Sequence, residues 1–273
     1  MSVTTPCRNP SLGRPPDTLP RVSFEVSGDA YDRFMGRYSR ELAPVFAEFC
    51  GIAPGQRVLD VGCGSGVLTE ELANRLGAEN VAGVDPSPML EACAARVPGA
   101  DLRTGVAEEL PWPDDAFDGA LAQLVVRFMD DPRAGVAEMA RVVHPGGVVA
   151  ACTWDFAGGM QLLSAFWEAA RAVNPEAASE TTFGTLEELD ELWNAQALEE
   201  IELGPLEVST AYADFDEVWS SFKLGVGPAG QYLVSLEPEA QEAVREEYRR
   251  RLGEPAGSFE LTARSWAARG RVS

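Results

Sequence analysis

The segment VLDVGCGSG, residues 58–66, has the spacing of a ligand-binding turn. A hydrophobic run ends in Asp60, and glycines follow at positions 62, 64 and 66, immediately before a helical pattern. Glycine is needed where the backbone takes a positive φ or where a ligand must approach the main chain closely. The N-terminus of the following helix adds unpaired N–H groups. The turn therefore predicts a binding site for a small ligand.

The spacing of these glycines departs from two other nucleotide-binding loops. In the dinucleotide fingerprint GxGxxG the third glycine would fall at Val67, so the match fails by one residue. No Gly-Lys-Ser/Thr follows, so a P-loop is not indicated either. Asp85 closes the next apolar run, nineteen residues after Gly66. A doubly wound fold places there the acid that accepts hydrogen bonds from ribose hydroxyls, although Asp85 could also only cap the next helix.

The GxGxG spacing after an acidic residue resembles motif I of the class I S-adenosylmethionine-dependent methyltransferases. Later segments resemble the third-, fourth- and fifth-strand motifs of the small-molecule family related to ubiquinone- and menaquinone-biosynthesis C-methyltransferases. These segments are GVAEELPWPDDAFD (105–118), ALAQLVVRFMDDP (120–132) and HPGGVV (144–149). The similarity covers about residues 57–153 in the family's order. It implies S-adenosyl-L-methionine as the cofactor and methyl transfer as the reaction.

The resemblance also assigns residues to the cofactor. Gly62 and Gly64 would pass beneath its methionine part and ribose, and Asp60 would reach its amino group directly or through water. Asp85 would bind both ribose hydroxyls, and Gln123 would lie against the methionine moiety. The other predicted cofactor contacts come from Tyr31, Arg37, Cys63, Gly66, Pro86, Met89, Ala107 and Glu108.

The adenine contacts depart from the family pattern. Met89 would pack on the ring, the backbone of Ala107 would meet a ring nitrogen, and Glu108 would lie near the exocyclic amine. Val106 stands where many relatives carry an acidic residue that binds this amine. The amine contact must therefore come from backbone or from Glu108.

Methyl transfer from a sulfonium mainly requires alignment of nucleophile and methyl in a dry pocket. A base is needed only if the nucleophile must lose a proton. Relatives often carry histidines where this chain has Arg127 and Phe128, and the one histidine, His144, lies at a predicted helix end where a structural role is favoured. The candidate catalytic residues are Tyr31 and Arg127. Tyr31 and Arg37 could equally be a core aromatic and a surface charge.

Between residues 56 and 155, short apolar runs alternate with amphipathic stretches, which is the signature of βα units. This rhythm predicts an α/β fold with a doubly wound, mostly parallel, seven-stranded Rossmann-like sheet and a helical lid built from insertions. The strands are predicted over 57–61, 80–84, 100–104, 117–123 and 147–153, then 199–211 and 258–268. Helices are predicted over 66–76, 87–96, 132–142, 160–173, 185–197 and 214–251.

Four regions follow from this pattern. A disordered Pro-rich tail is predicted for 1–26, lead-in helices for 27–50, a cofactor-binding core for 51–155, and the rest of the sheet with a substrate lid for 156–273. Gly36 and Pro44 interrupt the lead-in, which could form two pieces. Aromatic residues are frequent in the lid and favour an apolar or aromatic acceptor, but at helical spacing they can also be plain core.

The amino-acid composition limits which binding partners are expected. The 273 residues carry 22 basic and 43 acidic side chains, a net charge of −21, which opposes binding to nucleic acid or anionic lipid. No apolar run is long enough for a membrane span and no secretory signal is visible, so a cytoplasmic protein is expected. One histidine and five scattered cysteines predict neither a metal site nor a disulfide framework. The oligomeric state stays open.

These observations favour a methyltransferase that moves the sulfonium methyl of S-adenosyl-L-methionine to a small organic acceptor. Whether oxygen, nitrogen or carbon is methylated stays open. The alternatives are an RNA or protein methyltransferase, and a protein or non-methylating enzyme that binds the cofactor in the same fold. An NAD-dependent oxidoreductase rests only on the glycine-rich turn.

Overall fold

A single sheet of seven strands organises the residues described by the computed structural model, 35–177 and 185–273. Its order is β3-β2-β1-β4-β5-β7-β6. Strands β1 to β5 run parallel, and β7 is antiparallel to both of its neighbours. The predicted mostly parallel, seven-stranded α/β sheet is therefore confirmed. The strands are β1 (Val58–Val61), β2 (Val81–Asp85), β3 (Asp101–Thr104), β4 (Phe117–Gln123), β5 (Val143–Trp154), β6 (Leu198–Tyr212) and β7 (Phe259–Val272).

Helices cover both faces of the sheet. Those that the structure describes are α1 (Arg37–Phe49), α2 (Val67–Leu76), α3 (Leu90–Arg96), α4 (Pro132–Arg141), α5 (Gln161–Val173), α6 (Leu186–Asn194), α7 (Phe215–Phe222), α8 (Gly227–Ser235) and α9 (Pro238–Arg251). Apolar residues of α1, α2, α5 and α7 to α9 form one core, and those of α4 and α6 form a second. In this part of the chain, no helix is both long and apolar enough to cross a membrane.

The local sequence explains why the strands differ. β1 and β2 are buried at every position because both faces of a parallel sheet are covered, so they read as nearly continuous apolar runs. Most of β6 alternates between buried and exposed residues, which is typical of an antiparallel strand with one solvated face. The rhythm change after residue 155 thus reflects the antiparallel half of the sheet.

The insertions contribute a cluster of packed aromatic rings to the first of these cores. Phe166 of α5 stacks on Phe222 of α7 with ring centroids 4.4 Å apart, and Tyr248 of α9 meets both rings edge-on. All three side chains are fully buried. These aromatics therefore hold the lid helices together, the plain-core alternative for this part of the insertions.

Several elements differ from the sequence prediction in their limits. Within the described residues, the lead-in forms one helix over Arg37–Phe49 that continues through Pro44, whose carbonyl accepts a hydrogen bond from Arg75 (3.0 Å). α3 begins at Leu90 rather than at 87, because Asp85 binds the main-chain N–H and the hydroxyl of Ser87 and holds this segment as a turn. The stretch predicted as helical over 214–251 forms three helices, α7, α8 and α9.

β5 also begins earlier than predicted. It starts at Val143, which pairs with Phe117 ahead of a register shift, so His144 lies in the strand rather than at a helix end. The shift lets the segment HPGG join the strand before regular pairing begins at Val148. Of the predicted regions, the tail 1–26 and the lead-in before residue 35 lie outside the described residues.

The register aligns the carboxyl ends of β1, β4 and β5. Asp60 pairs with Leu121, and Gln123 pairs with Cys152, so the glycine turn after β1 lies level with Gln123. Trp154 continues β5 two residues beyond that level. Ligands of open α/β sheets bind at this edge.

Candidate functional site

The glycine turn is built from three residues with positive φ: Gly62 (71°), Gly64 (51°) and Gly66 (87°). A Cβ at Gly62 would lie 2.5 Å from both methyl carbons of Val125, and a Cβ at Gly66 would lie 2.7 Å from the sulfur of Cys93. Packing within the chain therefore requires these two glycines. A Cβ at Gly64 would meet nothing closer than Met89 Cε at 3.7 Å. Gly64 is thus the glycine that leaves room above the backbone.

Asp85, at the end of β2, anchors this turn. Its Oδ2 accepts a hydrogen bond from the main-chain N–H of Gly64 (2.8 Å). Its Oδ1 accepts from the N–H of Ser87 (2.8 Å) and from the Ser87 hydroxyl. The carboxylate is 7% exposed, and each oxygen can accept further hydrogen bonds. Asp85 therefore fixes the loop at Gly64 and still offers acceptor capacity at the strand ends.

Asp60 lies below the turn in a buried position. Its Oδ2 accepts a hydrogen bond from the Thr69 hydroxyl of α2 (2.6 Å), and the residue is 1% exposed. Burial raises the pKa of the Asp60 carboxyl to about 7, against the opposing effect of the Thr69 hydrogen bond. A neighbouring positive charge would favour the ionised form. The predicted contact of Asp60 with an amino group stays a prediction.

In the side-chain amide of Gln123, the last residue of β4, only the nitrogen has a hydrogen-bond partner within the chain. Its Nε2 donates to the carbonyl of Ser39 in α1 (3.0 Å), which fixes the orientation of the amide. Its Oε1 is buried and has no hydrogen-bond partner within the chain. An unpaired buried acceptor costs about 1–3 kcal/mol, so Oε1 is suited to a ligand that brings an N–H or O–H donor.

The predicted adenine side lies around β2 and the segment after β3. Met89 is partly buried with its Cε near Gly64, while Pro86 is exposed. Ala107 is buried, and Glu108 accepts a hydrogen bond from the N–H of Asp131 (3.1 Å) at the start of α4. Val106, where relatives have an acid, is 44% exposed. The adenine contacts stay predictions.

Cys63 contributes through its main chain. Its N–H donates to the carbonyl of Val84 (3.0 Å), and its side chain is buried. The thiol forms a hydrogen bond with Cys93 beneath the turn, which raises the pKa of the Cys63 thiol. The Cys63 thiol therefore packs between the glycine turn and α3.

The two arginines of the prediction contact aromatic rings. Arg37 forms an ion pair with Glu217 of α7 (2.8 Å) and lies 4.4 Å above the ring of Tyr212. The guanidinium of Arg37 is therefore engaged by a carboxylate and a ring of the chain itself. Arg127 lies between the rings of Phe128 and Phe156, at 5.1 and 4.7 Å. Their ligand roles stay predictions, and Tyr31 lies outside the described residues.

His144 lies at the opposite edge of the sheet from the glycine turn. Its Nε2 is 2.9 Å from Oδ1 of Asp118, near the start of β4, and its Nδ1 is 2.9 Å from the carbonyl of Pro145. The hydrogen bond with Asp118, aided by the Pro145 carbonyl, raises the pKa of His144. A structural role agrees with this position.

Three residues of the site were not predicted from the sequence. Ser39 holds Gln123, and Thr69 holds Asp60, through hydrogen bonds that depend on the packing of α1 and α2. Leu124 follows Gln123 with a φ of 65°, a strained conformation for a branched side chain. Strained backbone of this kind clusters at functional sites. No local sequence pattern signals these contacts.

Part of the chain is similar to a known family of proteins. Residues 59–151 match the family model described as a methyltransferase domain. The resemblance stated from the sequence is confirmed for this segment: residues 59–151 are similar to a methyltransferase domain.

Particular relatives support this assignment. The chain is 43% identical over 106 residues to a demethylmenaquinone methyltransferase of Mycolicibacterium paratuberculosis, covering 38% of this chain and 44% of the relative. It is 32% identical over 154 residues to a malonyl-[acyl-carrier protein] O-methyltransferase of Serratia marcescens, covering 54% of this chain and 59% of the relative. The chain thus spans about half the length of these curated relatives.

A solved structure shares the fold over a longer stretch. A protein of Anabaena variabilis, assigned as a methyltransferase of an antibiotic biosynthesis pathway, superposes with a TM-score of 0.57 at 21% identity. The superposition covers 83% of this chain and 95% of that protein. The architecture therefore extends well beyond residues 59–151.

Replacing Asp85 with alanine should weaken binding of S-adenosyl-L-methionine about ten-fold or more. The change removes the charged acceptor predicted for the ribose and the anchor of the Gly64 N–H. Isothermal titration calorimetry measures the effect. Asp118→Ala, which removes a carboxylate that accepts the Arg57 N–H at the opposite edge, is the control and should leave affinity unchanged. Equal affinities of the Asp85 variant and the native chain would contradict the assignment.

Two glycine substitutions should separate ligand binding from folding. Gly66→Ala should lower the melting temperature more than Gly64→Ala, because only at Gly66 does the new methyl meet Cys93 within 3 Å. Gly64→Ala should instead weaken cofactor binding, because its methyl enters the space above the turn. Thermal unfolding and calorimetry on both variants provide the comparison. A Gly64 variant that binds the cofactor normally would show that the ligand does not cross this residue.

Substitution His144→Gln should reduce stability at low pH only. Because the folded-state pKa of His144 is raised, its pairing stabilises the fold fully below about pH 6.5, and this contribution disappears as pH rises through the folded-state value. The side chain is 43% exposed, so the effect should be less than about 1 kcal/mol. Urea unfolding at pH 5.5 and 8.5 tests this. A larger loss at pH 8.5 would contradict the assigned pairing.

Proposed function

We propose that this protein is an S-adenosyl-L-methionine-dependent methyltransferase that acts on a small, apolar or aromatic organic acceptor by in-line displacement. The observation that carries the proposal is the joint arrangement of Gly64, Asp85 and Gln123 at the carboxyl ends of β1, β2 and β4. It combines an open stretch of backbone, a buried carboxylate and an unpaired amide oxygen. These groups lie within the segment that matches the methyltransferase domain.

The residues present fit the proposed cofactor. Asp85 would accept from the ribose hydroxyls, and the space above Gly64 would admit the ligand against the main chain. Gln123 Oε1 and the buried carboxyl of Asp60 would receive the ammonium of the methionine part. When bound, S-adenosyl-L-methionine supplies a methyl group already activated by its sulfonium. The protein then has to orient the acceptor and exclude water, and such positioning is worth about 7–11 kcal/mol of barrier.

The lid supports an apolar acceptor. Elements of the insertions cover the face of the sheet that carries Gln123 and Trp154, and they present aromatic side chains there. The two relatives named above act, by their names, on a quinone precursor and on a malonyl thioester. An aromatic acceptor agrees with the first of these two names, whereas the rings of Phe166, Trp219 and Phe222 pack within the core of the insertions.

The charge of the chain bears on the alternatives. A net charge of −21 opposes RNA as a substrate, since RNA binding requires cationic groups that neutralise phosphates. A protein that binds the cofactor without methyl transfer would share the groups around Gly64. Turnover distinguishes it from the proposed enzyme.

An acceptor screen tests the proposal. The full chain is incubated with S-adenosyl-L-methionine and separate samples of naphthohydroquinones, phenols, malonyl thioesters and bulk tRNA, and S-adenosylhomocysteine is measured. We expect product with at least one aromatic acceptor and none with tRNA. Asp85→Ala serves as the control that should lose turnover.

Two outcomes would contradict this expectation. Product with tRNA alone would identify an RNA methyltransferase. Tight cofactor binding by calorimetry without any S-adenosylhomocysteine would favour a binding protein or a non-methylating enzyme.

A further inference from the structure

Trp154, the last residue of β5, has a buried indole N–H without a partner in the chain. The residue is 4% exposed, and its ring meets Tyr38 of α1 edge-on with centroids 6.3 Å apart. A buried donor left unpaired costs about 1–3 kcal/mol. A phenylalanine would provide the same ring contact without this cost. The packing of this ring against Tyr38 therefore leaves the indole nitrogen without a hydrogen-bond partner.

Trp154 lies close to Gln123, one of the predicted cofactor residues. Gln123 pairs with Cys152 across β4 and β5, so Trp154 lies on the same face of the sheet, two residues further toward the carboxyl edge. One turn of α1 covers both residues: Ser39 receives the Gln123 amide and Tyr38 contacts the Trp154 ring. Gln123 thus offers an unpaired acceptor, and Trp154 an unpaired donor, in one buried layer.

The two unpaired groups suit two different ligands. Gln123 Oε1 is matched by the ammonium of the cofactor, which only donates hydrogen bonds. The Trp154 N–H requires an oxygen lone pair, which the ammonium lacks. Trp154 also lies two residues beyond Gln123, at the carboxyl edge of the sheet where ligands of open α/β sheets bind.

The charged groups near Trp154 determine whether a carboxylate or a hydroxyl oxygen of the ligand is the better acceptor for its indole N–H. The buried Asp60 has the neutral Thr69 hydroxyl as its partner, whereas the charge of Asp155 is balanced by Arg264 (2.9 Å). A ligand carboxylate would add another negative charge to this region, at a cost in Coulomb energy. A neutral hydroxyl accepts from an indole N–H without that cost.

We infer that Trp154 binds the acceptor by donating its indole N–H to a neutral hydroxyl oxygen on a planar aromatic ring. This inference rests on the proposed function, because it names the acceptor class of the same site. It adds a residue that recognises the acceptor through one hydrogen bond. Residues of the glycine turn and Gln123 keep their role toward the cofactor.

Calorimetry with 2-naphthol and naphthalene, which differ only in one hydroxyl, tests the inference on the full chain saturated with S-adenosylhomocysteine. The native chain should prefer 2-naphthol by roughly five- to ten-fold, as one buried hydrogen bond allows. In Trp154→Phe the preference should fall below about two-fold, while naphthalene binds as before. Native chain that shows no preference, or binds neither compound, overturns the inference.

Trp193→Phe is the matched control. Trp193 is fully buried and also has an unpaired indole N–H, but it belongs to the core on the opposite face of the sheet. This variant should keep the preference for 2-naphthol. Equal loss in both variants would assign the effect to general destabilisation and overturn the inference.

A second measurement does not depend on folding of a variant. In the native chain, addition of 2-naphthol should move one indole N–H resonance downfield in a nitrogen–proton correlation spectrum, and naphthalene should not. An unchanged indole region overturns the inference. Failure of S-adenosylhomocysteine to bind would instead count against the proposed function, since the preference for 2-naphthol can also be measured without it.

Discussion

The hydrogen bond from the Gly64 N–H to the Asp85 carboxylate is the contact on which the site depends. It joins the turn after β1 to the end of β2. These two places are adjacent because β1 and β2 are neighbouring parallel strands of the sheet. The same carboxylate holds Ser87 and thereby delays the start of α3. One buried acid thus sets the shape of the turn, the length of the next helix and the acceptors facing a ligand.

Local patterns were sufficient to predict the parts of the site that lie close together in sequence. The glycine spacing and the acid ending the second apolar run placed Gly64 and Asp85 correctly at adjacent strand ends, because βα units repeat with a fixed hand. The hydrogen bond between Gln123 and Ser39 joins residues 84 positions apart. It depends on how α1 packs, which periodicity does not encode. The same holds for Thr69 beneath Asp60.

The limits of elements were missed for a similar reason. Pro44 looked like a break, yet α1 continues through it because its face with Tyr38, Leu42 and Phe46 is buried in the core. Tertiary packing outweighs a local propensity of this size. β5 begins earlier than predicted because Val143 pairs with Phe117 ahead of a register shift. This shift depends on the pairing of β4 with β5 and is not visible in the local sequence. These differences concern where helices and strands begin, end or are interrupted, and the predicted mostly parallel seven-stranded sheet is retained.

The lead-in helix α1 is fastened at two places. Ser39 accepts from Gln123 at the strand ends, while Tyr38 shares a hydrogen bond with Tyr212 (3.1 Å) and Arg37 pairs with Glu217 of the lid. These three residues are consecutive in one helical turn, so α1 cannot leave the strand ends without also releasing β6 and α7. Moving α1 away from the strand ends would therefore have to break its contacts with β6 and α7 as well, so one helical turn couples these elements to the candidate site.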